Sequence, residues 1–255
     1  MEWAEGGEWI HVKVPGKGGN GGGLRSVVTT FSQQSRKRLR WLFAKCDRKR
    51  VVEGTMLEFT LTYPGKDYLV PRNPHDWKRH LSVFRKRFQR RWGNLWVVWK
   101  LEFQQRGAAH YHLVAFVPGG NSQVDIWQFR EWLSRSWWET VGSGDDDHLA
   151  AGTHAAWAER WGKLGAYMTK YLGKEVPAIC DEETGELVNI GRCWGQWSSA
   201  LAPIVERSYE LVNGSIWAVR RAVWRYAGLA SRSWRVGLQA FVPESMTVRL
   251  CQWQT

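Results

Sequence analysis

Trp96-Val97-Val98-Trp99-Lys100-Leu101-Glu102-Phe103, followed by Gln104-Gln105-Arg106-Gly107-Ala108 and then by His110-Tyr111-His112-Leu113-Val114-Ala115-Phe116, reads as two β-strands joined by a tight turn, and this hairpin decides the fold. Both arms are rich in β-branched and aromatic residues, which suit a pleated, half-buried surface. With Gln105-Arg106-Gly107 as a three-residue loop and Gly107 left-handed, Gln104 pairs with Ala108, Phe103 with Ala109 and Glu102 with His110. Alternate strand residues share a face, so both imidazoles point one way while Tyr111, Leu113 and Ala115 point the other. Cross-strand partners have Cβ atoms about 5 Å apart. Glu102, His110 and His112 then form a compact set of one carboxylate and two imidazoles, donors that suit a divalent metal. A one-residue slip of register would destroy the set.

Working outward, residues 30–49 read as a basic helix and residues 56–63 as a strand. Residues 73–92 read as a helix capped near Asn73 with Pro74 in its first turn. Residues 125–139 read as a further helix. Strand, helix, hairpin, helix is an α+β pattern built on a central antiparallel β-sheet flanked by helices. Asp145-Asp146-Asp147 reads as a solvated turn, because three adjacent carboxylates do not converge on one ion. Residues 236–242 read as a late strand. Trp217, Arg220, Arg221 and Trp224 have helical spacing, giving an amphipathic packing helix or, alternatively, indoles stacked on unpaired bases.

Tyr167-Met168-Thr169-Lys170-Tyr171-Leu172-Gly173-Lys174 holds two tyrosines four residues apart, each followed three residues later by a lysine. On a helix Tyr167, Lys170 and Tyr171 share a face. Gly173 and Pro177 signal a helix stop, which puts Lys174 just past the last turn. Half-buried packing tyrosines are the ordinary reading of this spacing. A lysine beside each hydroxyl favours the phenolate and offers a cation to a phosphate oxygen, which is the chemistry of a phenolic nucleophile.

The chain has 36 Lys and Arg against 24 Asp and Glu, a formal net charge of +12. That balance attracts polyanions. Basic residues cluster at 36–40, 45–50, 78–79 and 85–91, and the 19 tryptophans far exceed ordinary usage. Pro15-Gly16-Lys17-Gly18-Gly19-Asn20-Gly21-Gly22-Gly23 lacks the spacing and the Lys-Ser/Thr ending of a P-loop, which excludes nucleotide binding there. The domain expectation is a flexible Gly-rich segment over residues 1–29, a catalytic domain over 30–200 and a basic, Trp-rich extension over 201–255. Four cysteines without a C-x-x-C pair predict a reducing cytoplasm rather than a disulfide scaffold. No apolar run is long enough to span a membrane, and no signal peptide is indicated.

In order and spacing, Leu57-Glu58-Phe59-Thr60-Leu61-Thr62-Tyr63-Pro64, then Glu102 with His110-Tyr111-His112, then Tyr167-Met168-Thr169-Lys170-Tyr171 resemble the three motifs of HUH endonucleases. Among these the chain looks like two-tyrosine rolling-circle replication initiators of single-stranded DNA phages and bacterial plasmids. Gly191-Arg192-Cys193-Trp194-Gly195 is similar to a segment of the same proteins. The resemblance implies a ferredoxin-like or RRM-like palm, Mg²⁺ or Mn²⁺ on His110, His112 and Glu102, and Tyr167 and Tyr171 as alternating nucleophiles helped by Lys170 and Lys174. Gln104, on the same strand face as Glu102, is the alternative third ligand. The activity implied is nicking and rejoining of single-stranded DNA at an origin hairpin through a 5′-phosphotyrosine link. A host helicase and replication machinery would be the partners, in the cytoplasm of a bacterial host. A transposase- or relaxase-like strand transferase, a metal hydrolase using water, and a non-catalytic nucleic-acid-binding protein are the alternatives.

Overall fold

The computed structural model describes residues 1–5, 9–12, 27–158, 180, 185–208, 213–227, 238–241 and 245–246. Tyr167, Lys170, Tyr171 and Lys174 lie outside these described residues, as does the Gly-rich stretch 15–23. In chain order the elements are β1 (Glu2–Glu5), β2 (Trp9–Val12), α1 (Gln33–Ala44), α2 (Arg48–Glu53), β3 (Thr55–Thr62), α3 (Pro74–Trp92), β4 (Trp96–Phe103), β5 (Ala109–Val117), α4 (Ile126–Val141), α5 (Asp146–Ala151), β6 (Thr153–Trp157), β7 (Trp194–Trp197), β8 (Val205–Ser208), α6 (Asn213–Ala227) and β9 (Leu238–Phe241). They fall into a smaller unit, Met1–Arg25 with Gln34–Arg50 and Pro203–Thr255, and a larger unit, Ser26–Gln33 with Val51–Ala202.

The larger unit is built on an antiparallel sheet ordered β6-β3-β5-β4-β7. β3, α3 and β4 make one split β-α-β pass around β5, and β5, α4 and β6 make a second around β3. Two such passes are the ferredoxin-like arrangement, here extended by β7 beyond β4. This α+β fold agrees with the strand and helix pattern of the sequence. Asn73 caps α3, its Oδ1 accepting from the backbone N–H of His75 at 2.7 Å and of Asp76 at 3.2 Å, with Pro74 in the first turn. Asp125 caps α4 in the same way, accepting from Trp127 N–H at 2.8 Å. Both helices bury aromatic stripes against one sheet face, where Phe59 meets Phe84, Phe88 and Phe129 with ring centroids 5.4 to 6.4 Å apart. On the open side of edge strand β6, the Arg130 guanidinium donates from Nε to the Ala155 carbonyl at 2.8 Å.

Two buried histidines brace this core in their neutral form. Arg79 donates to His80 Nε2 at 3.2 Å, so that nitrogen carries no proton, and His80 Nδ1 meets the Tyr63 hydroxyl at 3.1 Å. His148 Nε2 donates to the Thr62 carbonyl at 2.9 Å, and its Nδ1 meets Ser143 Oγ at 2.7 Å. Burial lowers the pKa of both from the ordinary 6.5, with Arg79 adding to the effect at His80. A folded pKa below the unfolded one means stability is fully present above about pH 6.5 and is lost as pH falls toward the folded values. Each histidine should cost about 1.4 kcal/mol per pH unit inside that window. Thermal melts followed by circular dichroism from about pH 7.5 to about pH 5.5 should therefore show a falling midpoint before carboxylates titrate. A flat midpoint across that range would remove this assignment.

The other expectations meet specific differences. Asp145 is no solvated residue: it is buried, pairs with Lys66 at 2.8 Å, and precedes the short helix α5 that begins at Asp146. A charged partner on the neighbouring loop lets it leave water. The basic helix expected over 30–49 is interrupted after Ala44. There Cys46 bridges to Ile204 and the Asp47 N–H donates to the Pro203 carbonyl at 2.7 Å, so long-range pairing overrides helical continuation. Within the first 29 residues, β1 and β2 pair antiparallel in a sheet ordered β8-β1-β2-β9, with Ile10 fully buried. β9 falls inside the late strand expected over 236–242. Cys46, Cys180 and Cys193 are free thiols. Among the described residues no helix is long and apolar enough to cross a membrane.

Candidate functional site

The hairpin places its residues in register by local means. Gly107 has φ +78°, the left-handed value that glycine adopts without steric cost. The Gln104 N–H donates to the Ala108 carbonyl and the Gly107 N–H to the Gln104 carbonyl, both at 2.9 Å. Arg106 at the loop tip donates to the Tyr63 carbonyl at 3.0 Å and the Gly65 carbonyl at 3.2 Å, tying the turn to the end of β3. Phe103 then faces Ala109, Glu102 faces His110 and Lys100 faces His112. On the other side of β5, Thr62 faces His110 and Thr60 faces His112. Two rungs result on one sheet face, Thr62-His110-Glu102 and Thr60-His112-Lys100. The opposite face carries Phe59, Leu61, Tyr111 and Leu113 toward the helices.

The His110 and His112 rings lie 4.5 Å apart between centroids, nearly perpendicular. His110 Nδ1 meets Thr62 Oγ1 at 2.8 Å. If Nδ1 carries the proton and donates, Nε2 keeps a lone pair for a ligand. Glu102 lies with Oε2 3.3 Å from His112 Nε2, while Oε1 accepts from the Lys100 ammonium. Glu102 is 7 % exposed and Lys100 only 1 %. Burial pushes the Glu102 carboxyl up, but hydrogen bonds from His112 and Lys100, with their charge, outweigh it and hold it below the ordinary carboxylate value. The Lys100 ammonium also stands over the Phe31 ring, 5.2 Å from its centroid. Glu58 shares this sheet face, half-buried, and burial raises its pKa.

Two imidazoles and one carboxylate fit a divalent cation in kind. Among the described residues, no three His, Cys, Asp or Glu side chains converge as a formed ion cage. Gln104 turns its Oε1 to Arg106 Nε at 3.0 Å. Sequence reasoning gathered Glu102, His110 and His112 onto one face but missed Lys100 and Thr62, which engage them directly. A signal existed for the lysine: Lys100 has the same strand parity as Glu102 within a run that is otherwise apolar. The tyrosines and their lysines cannot be placed against this face, since they lie outside the described residues.

Comparison with known proteins bears on this stretch. No curated protein and no solved structure matches the chain. Residues 57–176 match the family described as Replication-associated protein ORF2, a span that runs from β3 through Glu102, His110 and His112 and includes Tyr167 and Tyr171. That similarity, covering a little under half of the chain, is to proteins associated with DNA replication and is consistent with a replication initiator.

Proposed function

We propose that this chain is a rolling-circle replication initiator that nicks and rejoins one DNA strand through a tyrosine–phosphate ester. The observation that carries the reading is the hairpin register that sets Glu102, His110 and His112 on one sheet face inside the stretch resembling replication-associated proteins. His110, His112 and Glu102 would hold Mg²⁺ or Mn²⁺, which supplies polarisation of the phosphoryl oxygen when bound. Tyr167 or Tyr171 would supply the phenolic oxygen. Its attack forms the Tyr O–P bond and breaks the P–O3′ bond, leaving a 5′-phosphotyrosine and a free 3′-OH that takes up the proton. The reverse displacement by a 3′-OH reseals the strand and returns the phenol. Lys170 and Lys174 would favour the phenolate and offset charge on the phosphate. Lys100 neutralises Glu102, so an arriving cation meets a carboxylate already balanced by an internal ammonium. A host helicase would open the duplex, and origin hairpin DNA would be the substrate.

The test is incubation with Mn²⁺ and a pool of labelled single-stranded oligonucleotides, followed by a denaturing gel. A covalent protein–DNA band is expected, absent without metal and reduced on the order of 10³-fold when His110 and His112 are both alanine, the scale of several kcal/mol of lost charge stabilisation. Cleavage with free 5′ ends and no band would assign the attack to water. Binding without cleavage would make the chain a nucleic-acid-binding protein only.

A further inference from the structure

The two units divide the charge of the chain very unequally. The smaller unit holds 18 Lys and Arg against 7 Asp and Glu, whereas the larger holds 18 against 17. Eleven of the twelve net positive charges thus sit in the 95 residues of the smaller unit, and the unit carrying the histidine pair is close to neutral. Fold, not sequence order, creates this division, because Gln34–Arg50 joins Pro203–Thr255 through the Cys46–Ile204 bridge and the Asp47–Pro203 bond.

The cations face water. On α1, Leu39 and Phe43 are buried while Lys37, Arg38 and Arg40 are exposed, and Arg48, Lys49 and Arg50 are exposed at the start of α2. On α6, Val219 and Val223 are buried while Trp217, Arg221 and Arg225, spaced four apart, form an exposed stripe. Acidic neighbours in this unit include Glu206, which pairs with Lys45, and Asp47, which lies 3.8 Å from Arg50. Lys37 stands over the Trp41 ring and Arg220 over the Trp217 ring, so cations rather than open indoles are presented. Such a surface suits a dense line of phosphates better than unstacked bases, and duplex DNA carries one negative charge per roughly 1.7 Å of axis.

We infer that the smaller unit is a docking module for the sugar–phosphate backbone of duplex DNA, holding the chain on its template while the larger unit acts on the exposed strand. The inference rests on the proposed function only in taking DNA as the polyanion. It is tested by fluorescence anisotropy with the full chain, without divalent metal, on a duplex of arbitrary sequence about 20 base pairs long and on its single strand, across about 50 to 300 mM salt. Three charge reversals are compared: K37E/R38E/R40E, R221E/R225E, and R85E/K86E/R90E on α3 of the larger unit as a control, with Gln versions of each in case a reversal fails to fold. The first two should weaken duplex binding at least about 10-fold and flatten the dependence of log K on log salt by roughly 2 to 3, and the control by less than about 3-fold. A control as weak as the other two, salt-independent binding, or tighter binding of the single strand would overturn the inference. The covalent band described above is read separately, so loss of docking and failure of the cleavage chemistry are distinguishable.

Discussion

Glu102→Gln is expected to destabilise the larger unit by about 3 to 5 kcal/mol, the cost of removing one partner from a buried ion pair. The carboxylate is shared between the Lys100 ammonium, 1 % exposed, and His112, so the amide leaves a buried cation without its counter-charge. A unit of this size should lose about 10 °C in melting temperature. Lys100→Met alone should also destabilise, since the carboxylate then keeps only His112. The double variant should recover most of the loss, because exchanging a whole buried pair for neutral groups of similar volume is often close to neutral. Additive losses in the double variant would show that the two side chains do not act as a pair. The cycle is read by chemical denaturation of the four proteins at neutral pH.

Tyr167→Phe combined with Tyr171→Phe is expected to abolish the covalent protein–DNA band, a loss of at least about 10³-fold. Phenylalanine keeps the ring and deletes only the hydroxyl, so the attacking oxygen is gone while the apolar bulk stays. Either single variant should still form the band, since one phenol remains. The melting temperature should stay within several degrees, because a hydroxyl hydrogen bond is worth only about 1 kcal/mol net. A band of undiminished strength in the double variant, on a protein of unchanged stability, would take the nucleophile away from both tyrosines.

The hairpin was legible because its instructions are local. Gly107 sets the turn, strand alternation sets the face, and those two facts bring Glu102 opposite His110 without knowledge of the rest of the chain. The caps at Asn73 and Asp125 were legible for the same reason. Lys100 was not, because its meaning depends on burial of both sheet faces: seven of the eight β4 positions are buried, charged ones included. A period-two reading assumes one wet face and assigns a strand lysine to it. Asp145 was misread for a related reason, since its Lys66 partner lies 79 residues away. The grouping of α1 with the C-terminal elements arises from contacts between residues more than 150 positions apart, which no local pattern encodes.

The guanidinium of Arg130 on the Ala155 carbonyl has a bearing on how copies of this protein behave when crowded. Edge strands with open carbonyls recruit foreign strands, and proteins guard them with charge. A charged side chain already seated on the outermost rung makes each such encounter begin with breaking a bond. Molecules gathered at high density along one template thereby keep their sheets to themselves.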